Sequence, residues 1–430
     1  MGFSPLTFPT PGHFARIQGQ KLRQLLQYLN GNSPFYQELF SKNRLDINTI
    51  SQVGDLTAIP FTTKEDLQQR NEDFLCVKRD QVAEYMATSG TLGKPVTIAM
   101  TGKDLERLAE NEYNSFLCAG GGAGEIYQLM VTLDRQFMAG MAYYGGLRKL
   151  GAGIIRIGVG APSLQLETIL RLKPTCVVAV PSFLLKLIRF GQEQGVDLNT
   201  TSVKKAICIG ENIRNLDFSL NTLGKRIRES WDIDLFSTYA STEMQTAFTE
   251  CPEMRGGHLQ PELLILEVLD ERGLPVSPYV AGEVVITTLG VEGMPLLRYK
   301  TGDICMYYDE ICPCGRSSLR LSPVIGRKHQ MIKFKGTTLY PPALFDLLNE
   351  VREVVDYAVE IYTNKVGLDE IMVYLVTGDQ TGDAEISLRK SFHDRLRVTP
   401  NIKFVTSSEM QKIQFPENSR KAIRWIDRRI

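Results

Sequence analysis

The spacing of apolar residues predicts helices in the first 80 residues of the chain. Apolar side chains recur there near helical intervals, at Phe14, Ile17, Leu22, Leu25, Leu26 and Leu29. Ser33-Pro34 is typical of a helix start, and Thr62 with Glu65 matches a capping box. We therefore expect short helices that cover a core formed by later residues.

From Glu84 onward, short apolar strands alternate with helical segments. Strands are predicted at residues 126–133, 153–157, 175–180, 203–209 and 233–238, and helices at 138–150, 163–173, 182–194 and 216–229. This alternation predicts an α/β domain with a mostly parallel sheet. Residues 259–308 are richer in strand patterns and form a strand-rich subdomain, with a candidate hairpin turn at 270–273.

A domain boundary is predicted at a hinge near residues 326–330. Beyond it the pattern restarts as strand, helix, two strands, helix and strand. The helices are predicted at 341–351 and 385–397, and the strands that follow the first helix at 356–363, 370–377 and 402–406. This order is sufficient for a small α+β domain. The sequence thus predicts a large N-terminal domain over 1–325 and a small C-terminal domain over 326–430.

Composition excludes several classes of protein. The 430 residues include 49 basic and 49 acidic side chains, and this neutral balance argues against a protein that coats nucleic acid or an anionic membrane. The chain contains no run of about 18 apolar residues, and its N-terminus lacks the layout of a signal peptide. We expect a soluble cytoplasmic protein. A homodimer is compatible with the sequence, which does not reveal the oligomeric state.

The cysteines fall into two groups. Eight in 430 residues are too few for a disulfide scaffold, and five of them lie singly in apolar surroundings as expected for reduced core thiols: Cys76, Cys118, Cys176, Cys208 and Cys305. The other three lie with a histidine in turn-rich segments: Cys251, His258, Cys312 and Cys314. Three cysteines and one histidine make a closed tetrahedral zinc set, and free thiols in a loop are the alternative.

A glycine-containing loop joins two predicted strands. Its sequence is Thr88-Ser89-Gly90-Thr91-Leu92-Gly93-Lys94-Pro95. Two glycines allow backbone amides to curl around an anion, the hydroxyls add donors, and Lys94 adds positive charge. The spacing differs from that of a Walker loop. A phosphate-binding loop and a plain glycine-rich turn both remain compatible with this segment.

Further motifs, in order along the chain, resemble those of a known family. They are Pro60–Leu67, the loop at 88–95, Ser237–Glu243, Leu297–Asp303, Cys312–Arg316, Gly326–Lys328, Lys333–Gly336 and Asn418–Arg424. In this order they resemble the signature segments of the adenylate-forming ligases, the acyl-CoA synthetase superfamily, and most closely its phenylacetate–CoA ligase branch. The resemblance extends from about residue 55 to the end.

The resemblance implies roles for individual residues. The 88–95 loop would close on the β- and γ-phosphates of ATP, Thr242 would lie against the α-phosphate, and Glu243 would hold Mg²⁺. Asp303 would accept hydrogen bonds from both ribose hydroxyls. The remaining implied residues contact nucleotide, substrate carboxylate or pantetheine: Gly210 and Glu211 near the adenine, Tyr239 in its motif, Arg327 at the ribose, Lys421 between carboxylate and nucleotide, and Gly336 in the pantetheine channel.

Each role has a simpler structural alternative. Glu243 could be a carboxylate at a helix start, Asp303 a turn residue after Gly302, and Lys421 a solvated surface charge. Phe137, Met141, Tyr143 and Tyr144 follow the acyl pocket by resemblance, but core packing is the default interpretation for such residues. For the zinc set, relatives in this branch that carry a structural zinc favour a site.

The implied activity is ATP-dependent ligation of an aromatic carboxylic acid to coenzyme A, through an acyl-adenylate. The family carries out its two steps in two orientations of the C-terminal domain. Two alternatives remain: an adenylating enzyme that passes the acyl group to a carrier protein or another acceptor, and a binding protein without catalysis. Leu92, Ala240 and the pair His329-Gln330 depart from the family pattern and are the only support for the last.

Overall fold

The computed structural model describes residues 9–88, 96–330, 332–334, 337–351, 353–364, 369–378, 381–396, 398–416 and 422–429. The chain divides into two compact units. The first comprises Met1–Ser219 and Ile227–Val324, and the second Leu220–Arg226 and Ile325–Ile430. None of the helices in the described ranges combines the length and the apolar character needed to cross a membrane.

The N-terminal part is helical, as predicted. It contains α1 (Pro11–Asn32), α2 (Pro34–Lys42) and α3 (Lys64–Gln69), with short 3-10 turns at Ile47–Thr49, Val53–Ala58, Asn71–Phe74 and Arg79–Gln81. The leucines at helical spacing on α1 are buried, and Ser33 caps α2. The predicted capping box is wrong by one residue: Thr63 and Asp66 cap α3, whereas Thr62 is buried and donates its hydroxyl to the Leu297 carbonyl.

A nine-stranded sheet forms the centre of the first unit. The chain passes through β1 (Glu84–Ala87), β2 (Thr97–Met100), α4 (Gly102–Cys118), β3 (Ile126–Leu129), α5 (Met138–Leu150), β4 (Gly153–Arg156), α6 (Pro162–Leu172), β5 (Cys176–Ala179), α7 (Pro181–Glu193), β6 (Lys205–Ile209), α8 (Thr222–Ser230), β7 (Asp234–Ser241), β8 (Thr246–Glu250) and β9 (Gly257–His258). In the sheet, β4, β3, β5, β6 and β7 are parallel neighbours in that order, and β8 and β9 continue it antiparallel. Every residue of β5 is buried, as expected for a parallel strand covered on both faces.

The predicted strands and helices of this sheet are present with shifted ends. The largest correction concerns α8, which begins at Thr222 and not near residue 216. The preceding residues form a turn in which Asn215 donates its N–H to the Ser219 carbonyl, and Phe218 has φ +66°. A left-handed residue interrupts a right-handed helix, so the helix cannot start earlier.

The strand-rich region forms a second, antiparallel arrangement. It contains β10 (Leu264–Leu269), β11 (Gly282–Thr288) and β12 (Tyr299–Cys305), which pair in that order, while β13 (Tyr307–Tyr308) and β14 (Arg320–Leu321) extend the nine-stranded sheet beyond β9. The hairpin turn predicted at 270–273 is confirmed: Gly273 donates its N–H to the Asp270 carbonyl. Every residue of β11 is buried, so this region belongs to the core of the first unit.

The second unit is a small α+β domain. Its elements are β15 (Gly326–Arg327), β16 (Ile332–Phe334), β17 (Thr337–Leu339), α9 (Pro341–Glu350), β18 (Val354–Thr363), β19 (Asp369–Thr377), α10 (Thr381–Ser391), a π-helical segment (Phe392–Leu396), β20 (Asn401–Phe404), α11 (Ser407–Gln414) and β21 (Trp425–Arg428). The sheet order is β20, β19, β18 and β21. Helix α11 and strand β21 were not predicted from the sequence.

Candidate functional site

Two motifs from the sequence lie at the carboxyl ends of neighbouring parallel strands. Strand β6 pairs with β7 so that Ile209 is opposite Thr238. Gly210, which follows β6, therefore lies beside Tyr239. Gly210 has φ +76°, and a Cβ built there would meet no atom of the described residues within 4 Å. In open α/β sheets ligands bind at this edge, so Gly210 lies where a ligand is expected.

Tyr239 and Asp303 are brought together from different sheets. The Tyr239 hydroxyl donates to Asp303 Oδ2 at 2.7 Å, and its ring stacks on Phe248 with a centroid separation of 5.8 Å. Burial and the nearby Asp303 carboxylate raise the pKa of Tyr239 well above its usual value, so the phenol keeps its proton and donates. The result is a buried carboxylate held in a defined orientation on β12.

Thr242 and Glu243 occupy the tight turn between β7 and β8. Both side chains are half-buried. The Ser241 hydroxyl accepts the N–H of Met244 at 3.2 Å, and the turn ends at Gln245 with φ +49°. A half-buried carboxylate in a tight turn has the hard oxygen ligands that Mg²⁺ prefers. The turn, and not a helix start, is the local structure of Glu243.

The segment that leads into Asp303 is fastened by the 60–67 motif. Thr62 donates its N–H to the Arg298 carbonyl at 3.1 Å, and Lys300 donates its N–H to the Thr62 carbonyl at 2.9 Å. The Arg298 guanidinium forms a buried ion pair with Glu267 and lies over the Phe61 ring at 4.3 Å. Through these contacts the first motif holds the second in place.

The glycine-containing loop is described only at its two ends. Thr88 donates its N–H to the Val96 carbonyl at 2.9 Å, and Val96 donates its N–H to the Thr88 hydroxyl at 3.0 Å. The loop therefore starts and ends at the same point of an antiparallel pair. Several predicted site residues lie outside the described residues: Ser89, Gly90, Thr91, Gly93, Lys94, Gly336 and Lys421.

Glu211 is hydrogen-bonded to the start of a neighbouring helix, and Arg327 lies in the second unit. Glu211 Oε2 accepts the N–H of Ser182 at 2.8 Å, at the start of α7, where a carboxylate favours the helix end. This contact gives Glu211 a structural task beside Gly210. Arg327 ends β15 in the second unit and is exposed.

The four predicted zinc ligands form one cluster. Cys251, His258, Cys312 and Cys314 have ligand atoms that all lie within 4.8 Å of one another. The Cys251 and Cys312 sulfurs are 3.7 Å apart, and Cys314 Sγ is 3.6 Å from His258 Nε2. Zn–S bonds of about 2.3 Å and Zn–N bonds of about 2.0–2.1 Å in a tetrahedron place two sulfurs about 3.8 Å apart and a sulfur and a nitrogen about 3.5 Å apart. The cluster fits zinc, and the sulfur separation is too long for a disulfide.

Neighbouring groups orient these ligands. His258 Nδ1 is 3.2 Å from the Ser318 hydroxyl, which leaves Nε2 directed at the cluster. Burial, with the charges of Arg316 and Arg320, lowers the pKa of His258 to about 3, so its ring is neutral as a metal ligand must be. The thiol of Cys118 is buried beside the cluster and donates to the Thr249 carbonyl. The other isolated cysteines are buried and unpaired by disulfides, as predicted.

The aromatic segment on α5 is mainly core. Tyr143 is buried, in agreement with the default interpretation, whereas Met141 is exposed. Tyr144 is half-buried and lies under the guanidinium groups of Arg148 and Arg156. Phe137 is half-buried and occupies the position just before the first turn of α5.

Sequence reasoning missed three polar residues around these sites. Ser318 orients the predicted zinc ligand His258, and Arg107 and Asn111 of α4 bind the main chain just after the Thr242–Glu243 turn. Of these three residues, only Ser318 could have been suspected from the sequence, because it lies close to the Cys312–Arg316 motif.

Comparisons with known proteins identify the family of this chain. A family model described as AMP-binding enzyme matches residues 35–293. The chain belongs to this family of adenylate-forming enzymes, in its phenylacetate–CoA ligase branch. It is 30% identical over 359 residues to a phenylacetate-coenzyme A ligase of Thermus thermophilus, covering 82% of this chain and 79% of the relative. A phenylacetate-coenzyme A ligase of Aromatoleum evansii is 27% identical, with 80% of each chain covered.

Solved structures share the fold. A 2-hydroxyisobutyryl-CoA ligase in its postadenylation state superposes with a TM-score of 0.83 at 19% identity, covering 99% of this chain and 95% of that chain. An anthranilate CoA ligase in complex with anthranoyl-AMP has a TM-score of 0.59 at 18% identity, covering 81% and 67%. The predicted α/β fold, the predicted family and the prediction of an AMP-forming acid–thiol ligase are therefore confirmed.

Proposed function

We propose that this protein is an ATP-dependent ligase that adenylates an aromatic carboxylic acid and transfers the acyl group to coenzyme A, releasing AMP and pyrophosphate. The observation that carries the proposal is the 2.7 Å hydrogen bond from Tyr239 to Asp303. It orients a buried carboxylate close to the strand ends that bear Gly210 and the Thr242–Glu243 turn. A carboxylate that faces two vicinal hydroxyls suits the ribose of ATP.

In this proposal, different residues bind different parts of the nucleotide. Asp303 accepts from the ribose hydroxyls, with Arg327 on the ribose as well, and Gly210 and Tyr239 border the adenine. Thr88 and the loop through Lys94 close on the β- and γ-phosphates, and Thr242 lies against the α-phosphate. Glu243 would hold Mg²⁺, which would supply charge neutralisation at the phosphates.

The chemistry needs no nucleophile from the protein. A carboxylate oxygen attacks the α-phosphorus of ATP, the bond to the bridging oxygen breaks, and pyrophosphate leaves with the electron pair. The thiol of coenzyme A then attacks the acyl carbon and AMP leaves, while the thiol proton passes to solvent. The chain supplies positioning and charge, with Lys421 between the carboxylate and the α-phosphoryl group and Gly336 lining the pantetheine channel.

An aromatic acid is the substrate that the relatives favour. Several are phenylacetate-coenzyme A ligases at 25–30% identity, and the anthranilate CoA ligase shares the fold. The half-buried Phe137 and Tyr144 are candidates for the pocket wall. A structural Zn²⁺ bound by Cys251, His258, Cys312 and Cys314 is part of the proposal, supported by the tetrahedral separations of their ligand atoms. Because four protein ligands fill a tetrahedron, the zinc would take no part in catalysis.

The test is carboxylate-dependent exchange of labelled pyrophosphate into ATP with a panel of aryl and alkyl acids, followed by a thioester assay with coenzyme A. We expect exchange with an aryl acid and formation of its thioester. Exchange without thioester would replace coenzyme A by a carrier protein or another acceptor. Exchange only with alkyl acids would overturn the aromatic substrate, and absence of both exchange and ATP binding would overturn adenylation.

A further inference from the structure

A buried arginine on α4 donates four hydrogen bonds to neutral acceptors. Arg107 Nε donates to the Leu289 carbonyl at 2.7 Å, and Nη1 to the Gln245 carbonyl at 2.9 Å. Its Nη2 donates to the Thr246 hydroxyl at 3.3 Å and to the Leu263 carbonyl at 2.6 Å. The guanidinium therefore donates four hydrogen bonds, three to carbonyl groups and one to a hydroxyl.

Burying a guanidinium in this way is costly. A buried cation is usually balanced by a carboxylate, and the four acceptors here carry no formal charge. Burial lowers the pKa of Arg107 to about 10, against the opposing effect of the nearby Asp104 carboxylate, so the guanidinium stays charged at neutral pH. Because none of its four hydrogen bonds goes to a carboxylate, the guanidinium is suited to a task that neutral side chains perform less well. A rigid fork of donors that ties several main-chain segments together is such a task.

Two of these acceptors belong to the end of one turn. Gln245 and Thr246 follow Thr242 and Glu243 after the single residue Met244, and Gln245 has φ +49°, a conformation that non-glycine residues keep only when their surroundings hold it. One helical turn after Arg107, Asn111 Oδ1 accepts the N–H of Ala247 at 3.0 Å. One face of α4 therefore holds three consecutive residues at the exit of the turn.

We propose that Arg107 and Asn111 are positioning residues for adenylation: from α4 they hold residues 245–247 and so set where the preceding turn presents Thr242 and Glu243 to the phosphates and Mg²⁺. This inference rests on the proposed function. Both act through the main chain and side chain of residues 245–247 and not by contact with the substrate. Their effect is confined to the step that uses ATP, because coenzyme A attack on a formed acyl-adenylate does not require Mg²⁺ at Glu243.

The test compares the two half-reactions in Arg107→Lys, which keeps a charge but cannot reach all of these acceptors. We expect the KM for MgATP in pyrophosphate exchange to rise roughly tenfold, the loss typical of one charge-assisted hydrogen bond. Thioester formation from supplied acyl-adenylate should stay within about twofold of wild type. Leu22→Ala is the control: it removes a buried side chain from α1, and we expect a lower melting temperature with an unchanged KM for MgATP.

A double substitution separates positioning from general destabilisation. In a Glu243→Gln background, Arg107→Lys should raise the KM by less than about threefold, because the group it positions is already impaired. Multiplicative effects would overturn the inference, as would a wild-type KM in Arg107→Lys. If that variant does not fold, Asn111→Ala is expected to show the same selective rise in KM, and a wild-type KM there would overturn the inference. Wild-type pyrophosphate exchange in Glu243→Gln alone would instead overturn the role that the proposed function gives to Glu243.

Discussion

Asp303 and Tyr239 lie 64 positions apart in the sequence, and their side chains meet at 2.7 Å. If Asp303 binds the ribose hydroxyls, Asp303→Asn should raise the KM for ATP by about 10- to 150-fold, since a hydrogen bond to a charged group is worth about 1.5–3 kcal/mol. The penalty should be smaller with 2′-deoxy-ATP, which has already lost one hydroxyl. Steady-state exchange kinetics with both nucleotides measure the difference.

Asp309→Asn is the matched control for this substitution, because Asp309 is an exposed carboxylate a few residues further on. It should leave both KM values unchanged. An equal penalty for Asp303→Asn with ATP and 2′-deoxy-ATP would remove Asp303 from the ribose and leave it a structural partner of Tyr239.

For individual residues, the sequence motifs predicted which residues belong to the site but not which side chains contact one another. Tyr239 and Asp303 were both recognised, yet nothing in the sequence pairs them. Arg107 had no signal, because an arginine on an amphipathic helix resembles a surface charge, and its acceptors are mostly carbonyls 138 to 182 positions away. Main-chain acceptors have no residue identity, so such a contact is visible only in three dimensions. Ser89 and Lys94 stay predictions.

Among local elements, the turn at 312–316 makes the sharpest prediction. Gly315 donates its N–H to the Cys312 carbonyl at 2.8 Å, and Gly315 has φ +89°, so the tight turn directs both cysteines to one point. We expect about one zinc per chain by metal analysis, and Cys312→Ser should lower this to well below one. Loss of a structural metal should also lower the melting temperature by several degrees.

Cys118→Ser is the control for the zinc prediction. Cys118 is buried against the same cluster but donates to the Thr249 carbonyl, so its replacement should leave the zinc content unchanged. A folded, metal-free wild-type protein would contradict the site, and zinc retained in Cys312→Ser would contradict the ligand set.

The elements themselves were largely predictable, and their ends were not. Strands β3, β5 and β6 are apolar runs because they are buried on both faces of the sheet, and helices α5 to α7 follow the helical apolar period. The exceptions have local causes: the positive φ at Phe218 delays α8, and the buried hydroxyl of Thr62 transfers the cap of α3 to Thr63. Helix α11 has only eight residues, and β21 contains the charged Asp427 and Arg428 among its four, so neither segment has a clear apolar pattern.

At the level of the whole molecule, the sequence predicted a small C-terminal domain from the restart of strand and helix patterns. The second compact unit begins at Ile325 and also takes in residues 220–226, a segment that no sequence pattern connects with the C-terminal part. The order β20, β19, β18 and β21 is likewise not readable from periodicity, since β21 follows β20 in the chain but pairs with β18. Long-range pairing of this kind depends on tertiary packing and not on local pattern.

Lys421 provides the test of how the two parts of the chain share the reaction. If it stabilises charge that builds on the α-phosphoryl group, Lys421→Ala should lower pyrophosphate exchange by about 10²–10³-fold, as for loss of an electrostatic stabiliser elsewhere. Thioester formation from supplied acyl-adenylate should fall by less than about fivefold, because that step no longer breaks a bond to phosphorus in ATP. Lys412→Ala, which changes an exposed lysine on α11, should leave both half-reactions at wild-type rates. Equal losses in the two half-reactions would instead assign Lys421 to both steps, and the C-terminal domain would then have to present the same lysine throughout the cycle.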